Sequence, residues 1–132
     1  MAAALLRRLR LAAATLLKVR LEAVAKMVVQ RDRPAETLPD VILRGQSAAH
    51  RLSCPSGHAM VIFAITALAA PYFKAGERSC LALVAAVCLS RVYLGAHFPV
   101  DVAAGAGLGL FIGSALNLVF GVPSASTAGA SG

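Results

Sequence analysis

Four apolar stretches divide this chain, and the polar residues between them gather near the ends of the helices they predict. Residues 5–30 are rich in Ala, Leu, Val, Lys and Arg with no Gly or Pro, so they predict a helix. Its charges are too many for a span bathed in lipid on all sides, so it should lean on other helices or lie partly in the interface. Lys18 and Glu22 stand one turn apart and can pair along one face. Residues 31–54 are polar and broken by Pro34, Pro39 and Gly45, which predicts a loop with a short helix near 39–43. Residues 57–73 carry no formal charge and predict a second helix that starts at the Ser56-Gly57 turn and tolerates Pro71 near its end. A short charged connection over 74–78 leads to a third helix over 79–95. A fourth runs over 99–120, where Gly105, Gly107, Gly109 and Gly113 permit close helix packing. Residues 1–122 then form one domain, and the Ser/Ala/Gly-rich residues 123–132 predict a disordered tail.

Composition turns this pattern into a class. The chain is 58% hydrophobic and 14% charged, with mean hydropathy +0.74, whereas a soluble domain is about a quarter charged. The expectation is an all-α, integral membrane bundle of about four helices, multi-pass in a cell membrane. There is no Trp, so an interfacial aromatic belt has little beyond Tyr72, Phe73, Tyr93 and Phe98. The net charge of +7 is divided between Arg7, Arg8 and Arg10 at the amino terminus and Arg31, Arg33, Arg44 and Arg51 further on. Its ordinary meaning is a positive-inside signal with attraction to anionic lipid. A solvated basic face with stacking aromatics is missing, which argues against nucleic acid as a partner. The amino terminus starts like a signal peptide, but Lys18, Arg20 and Glu22 interrupt it and no cleavage site follows, so it predicts a retained helix. Cys54, Cys80 and Cys88 are odd in number and scattered. His50 and His58 flank Cys54 at four residues on either side, but without a CxxC pair the spacing fits structural zinc poorly, and no metal is expected.

An up-and-down order of helices brings three polar clusters to one end of the bundle. Lys26 and Arg33-Pro34 lie at the end of the first helix, and two helix-end cations ordinarily snorkel to lipid headgroups. Pro55-Ser56-Gly57-His58 opens the second helix, where amides, a hydroxyl and the helix dipole favour an anion, although Ser is also a common cap. Ser90-Arg91 closes the third helix, and His97 and Asp101 are four residues apart at the start of the fourth. On that spacing Asp101 can hold one nitrogen of the imidazole and leave the other to attack, or the pair can simply stabilise a helix terminus. Ionisable groups at a membrane edge are costly and by default mark function. Taken together, three cations, a Ser-Gly turn, two histidines and a carboxylate suit phosphoryl transfer. Positive-inside counting puts the end bearing the amino-terminal arginines, Lys74 and Arg78 in the cytoplasm and the clusters on the extracytoplasmic side.

The spacings Lys26/Arg33/Pro34, Pro55 to His58, and Ser90/Arg91/His97/Asp101 resemble the type 2 phosphatidic acid phosphatase family, related to vanadium haloperoxidases and glucose-6-phosphatase. The likeness covers residues 26–120 and every motif position. It implies hydrolysis of a phosphomonoester or diphosphate on a lipid without metal or other cofactor, releasing inorganic phosphate. By the resemblance His97 is the nucleophile that forms a phosphohistidine, Asp101 orients it and His58 protonates the leaving oxygen. Lys26, Arg33, Ser56, Gly57 and Arg91 clamp the phosphoryl oxygens. Substrates of this kind are polyprenyl phosphates or diphosphates and phosphatidate-like lipids. Integral members of the family usually carry two spans before the lysine-bearing helix, and this chain starts almost at that helix. The expectation is a truncated piece, a minimal form that dimerises, or a fragment of a longer product. Two rival classes follow: an inactive membrane scaffold left by truncation, and a membrane-surface binder using the basic amino terminus.

Overall fold

A computed structural model describes residues 2–42, 52–70 and 77–121. Within them the chain is mostly helical, without a strand apart from an isolated antiparallel bridge between Asp32 and Leu52. The helices are α1 (Ala2–Val29), α2 (Pro34–Thr37), α3 (Gly57–Ala69), α4 (Glu77–Tyr93) and α5 (Pro99–Phe120). The helix predicted over 5–30 is α1, which ends where Gln30 adopts a left-handed φ of 45° and donates its amide to the Lys26 carbonyl. The short helix expected near 39–43 forms earlier, as α2. Arg33 is its N-cap and Pro34, whose fixed φ suits the first helical position, starts it. Pro39 and Asp40 make a turn instead. The helix predicted over 57–73 is helical to Ala69; residues 71–73 lie outside the described residues, as do Lys74, His50 and the tail after 121. The third predicted helix ends at Tyr93 rather than 95, because Gly95 turns the chain at φ 70°. A side chain there would be strained and would also meet Val41 and Ile42.

The most extensive helix contact is between α3 and α5, with α1 and α4 joined to them less extensively. α3 and α5 run parallel and nearly touch backbone to backbone. A Cβ on Gly105 would come 2.4 Å from the Ser56 carbonyl, and one on Gly109 would come 2.3 Å from that of Met60. Larger residues there would force the helices apart, so Gly105, Gly109 and Gly113 allow the expected close packing, whereas a Cβ on Gly107 would meet nothing within 4 Å. The small core of Met60, Ala64, Ile112 and Leu116 sits between these two helices, flanked by Ala13, Leu17 and Leu21 of α1. Many large apolar side chains face outward, including Leu11 and Val28 on α1 and Phe111, Leu118 and Val119 on α5. α5 is long and apolar enough to cross a membrane, while Gly57–Ala69 and Ala82–Tyr93 are shorter apolar helices.

The helix α1 runs antiparallel to α5 and is fastened at both ends. Arg10, near its start, donates to Asn117 Oδ1 at 3.0 Å and to the Gly121 carbonyl at 2.7 Å. Asn117 in turn donates to the Ala67 carbonyl at 2.9 Å, so three helices meet in one network. At the other end Arg31 reaches Asp101 of α5 at 3.3 Å.

Candidate active site

The end opposite Arg10 collects the three polar clusters. Its frame is made of backbone. Ser53 donates its amide to the Arg31 carbonyl at 2.8 Å, and its hydroxyl bonds to the carbonyls of Arg31 and Asp32. These bonds hold the segment before α3 against the segment after α1. Ser56 then donates its amide to the Asp101 carbonyl at 2.9 Å, which ties the start of α3 to the start of α5. At the end of α4 the Arg91 carbonyl accepts the amides of Ala96 at 3.2 Å and His97 at 3.3 Å, so the turn carrying His97 folds back on Arg91 itself.

His97 is buried, and its Nδ1 lies 2.7 Å from the Ser53 carbonyl. A carbonyl only accepts, so Nδ1 is the protonated nitrogen and Nε2 of the neutral ring carries the free lone pair. This corrects the expectation that Asp101 grips the imidazole. His97 precedes the helix, whereas Asp101 is its third residue, so the two do not share a helical face. Asp101 Oδ2 instead accepts the Phe98 amide at 2.9 Å, and Oδ1 accepts from Arg31. A carboxylate at this position answers an orphan amide and the positive end of the dipole, and that local demand wins. Asp101 is fully buried and also accepts from the Cys54 thiol. Burial, followed by the charge of Asp101 and that hydrogen bond, pushes the Cys54 thiol above its ordinary range.

The remaining predicted residues lie at the same end of the helices. Arg33 is buried at the N-cap of α2. Lys26, in the last turn of α1, is partly buried and donates to Glu22 Oε1 at 2.7 Å. The charges of Arg33 and Lys26 act on His97, and those of Arg91, Lys18, Glu22 and Arg33 act on His58. The charge of Arg33 therefore acts on both imidazoles, one in the turn before α5 and one at the start of α3. Burial holds His97 below the ordinary imidazole range, aided by Arg33 and Lys26 and opposed by the bond to Ser53 and by Asp101. The ring is then neutral near pH 7, as a nitrogen nucleophile requires. His58 is exposed at the rim, the second residue of α3, and Arg91 is partly buried in the last turn of α4.

Ser56 is fully buried and caps α3, its hydroxyl accepting from the Ala59 amide at 3.5 Å. Its own amide is committed to Asp101, so the anion seat at this helix start has one amide fewer than the sequence suggests. Gly57 faces the Glu22 carboxylate, whose Oε1 lies 2.7 Å from where a Cβ would stand. Four groups were not singled out as site residues: the Ser53 carbonyl, Arg31, Cys54 and Glu22. Arg31 also lies over the Phe98 ring, 5.9 Å from its centroid, and borders a cavity of about 290 Å³ with Asp32, Thr37, Phe98 and Val100. Among the described residues no group of three or more His, Cys, Asp or Glu side chains is arranged to hold a metal ion.

Two curated relatives carry related sequences. A protein named bacitracin transport permease protein BcrC, from Bacillus licheniformis, is 38% identical over 96 residues, 71% of this chain and 45% of its own length. A decaprenylphosphoryl-5-phosphoribose phosphatase from Mycolicibacterium smegmatis is 39% identical over 82 residues, 62% of this chain and 43% of its own length. The chain thus spans less than half the length of these relatives. No solved structure gives a significant match. The sequence pattern of the PAP2 superfamily matches residues 7–122, which include every cluster described above, and the chain belongs to that family.

Proposed function

We propose that this chain hydrolyses a phosphate or diphosphate ester of a lipid, without a metal, and releases inorganic phosphate through a histidine-bound intermediate. The observation that carries the reading is the tautomer of His97. A buried imidazole whose Nδ1–H is spent on the Ser53 carbonyl offers Nε2 as a neutral nucleophile beside the charges of Arg33 and Lys26. Nε2 attacks phosphorus, the bond from phosphorus to the leaving oxygen breaks, and His58 gives that oxygen a proton. Water then attacks the phosphohistidine and returns a proton to His58; the bond from phosphorus to Nε2 breaks, phosphate departs and Nε2 regains its lone pair. Lys26, Arg33 and Arg91, with Ser56 and Gly57, hold the equatorial oxygens. Asp101 supports the site by fixing the starts of α3 and α5.

The lipid class rests on two supports. Among the described residues one helix is long and apolar enough to cross a membrane, and many large apolar side chains face outward. The second relative's name describes a phosphatase for a polyprenyl-linked phosphoribose. Polyprenyl phosphates or diphosphates are the first substrates to test, with phosphatidate-like lipids beside them. The protein is read as multi-pass, with the site on the extracytoplasmic face. The experiment is a phosphate-release panel over these lipids with protein in nanodiscs. His97→Ala should lower release by at least about a thousandfold. Release that survives this substitution, or no release from any lipid phosphate, would overturn the assignment.

A further inference from the structure

Glu22 is the one acidic residue in the 28-residue helix α1, and it points to the phosphate end. One oxygen pairs with Lys18 and the other accepts from Lys26 at 2.7 Å. The same carboxylate rests against Gly57, the residue whose lack of a side chain lets a ligand approach the start of α3. Its charge also acts on His58. A pair confined to the surface of α1 would explain the contact with the lysines but not the contact with Gly57. We propose that Glu22 is a positioning residue of the phosphate seat, which shares Lys26 with the bound oxyanion and thereby loosens the grip on inorganic phosphate. The inference rests on the reading of Lys26 and Gly57 as phosphate contacts.

The physical logic is competition. Lys26 has a single charge, and each share of it given to the carboxylate is withheld from a phosphate oxygen. Ground-state grip of this kind holds substrate and product alike and does not raise turnover. Lowering it lets phosphate leave.

Calorimetric titration with inorganic phosphate tests this without turnover. Glu22→Gln keeps the shape and an acceptor for Lys26 but removes the competing charge, so phosphate should bind about tenfold more tightly. In the hydrolysis assay the same variant should show kcat and KM falling together, as release slows. Lys18→Met should act in the opposite sense, because Glu22 then bears on Lys26 alone; phosphate should bind at least threefold more weakly. Unchanged or weaker phosphate binding in Glu22→Gln overturns the proposal. If that variant does not fold, unchanged binding in Lys18→Met overturns it. A parent protein that cleaves lipid phosphates while Glu22→Gln leaves phosphate affinity alone would sink only this inference. A parent that cleaves none, yet shows the shift, would sink only the assignment of function.

Discussion

The two ends of the bundle hold their cations in opposite ways. At the far end Arg10 donates to a side-chain amide oxygen and to the carbonyl at the end of α5, both neutral acceptors. The partial negative charge of a helix carboxyl terminus suits a cation. At the near end Arg31 is paired with Asp101 and Lys26 with Glu22, while Arg33 and Arg91 act on the two histidines. A cation satisfied by helix carbonyls is a fastening. One satisfied by a carboxylate can pass its bonds to another oxyanion. Burial alone does not separate the two ends, since Arg10 and Arg33 are equally buried at 7% exposure; the carboxylate acceptors of Arg31 and Lys26 do.

Four experiments probe this contrast. The largest effect should come from Asp101→Asn, because an amide turns one acceptor into a donor facing the Phe98 amide, Arg31 or Cys54. Phosphate release should fall at least about a hundredfold, or about 2.7 kcal/mol in the barrier. Gly109→Ala strikes both ends at once, by wedging α3 from α5 where the new methyl meets the Met60 carbonyl. Thermal unfolding in detergent should show a loss of about 2 kcal/mol. Arg10→Met should lower stability by about 1.5 kcal/mol while kcat stays within about twofold of the parent, and a collapse of kcat would erase the distinction between the ends.

The smallest effect is on pH. The lowered His97 pKa keeps the ring neutral to below about 6.5. Below the lowered pKa, kcat/KM should drop about tenfold per unit as Nε2 is protonated. Stability follows the same sign. The unfolded imidazole takes up a proton first, so stability is present above the unfolded pKa and is lost as pH falls through the folded one. A pH–rate profile with its acid limb above the ordinary imidazole value would contradict the burial argument.

The sequence speaks most clearly where side-chain type decides. Pro99 at the first helical position and Gly121 after the last turn bracket α5, so its predicted and observed bounds agree. The Lys18–Glu22 pair was legible from its spacing, and the same spacing from Glu22 to Lys26 would have revealed the second half of that clamp. Arg33-Pro34 carried a helix-start signal that the reading near 39–43 passes over. The partner of His97 had no such signal. It is a main-chain carbonyl, and any residue at position 53 would supply one. The position of Asp101 was evident, but its use was not, because a carboxylate three residues into a helix is drawn to the amide behind it before it can serve a neighbouring ring.

The near-touching backbones of α3 and α5 have a mechanical consequence. His58 rides on one of these helices and His97 just ahead of the other, both at the same end of what amounts to a single stiff splint. On the proposed roles, the proton donor His58 and the nucleophile His97 are held at a fixed separation. On the same reading, room for a bulky headgroup would come on the side of α1 and α4, which carry Lys26 and Arg91 and are joined to α3 and α5 less extensively.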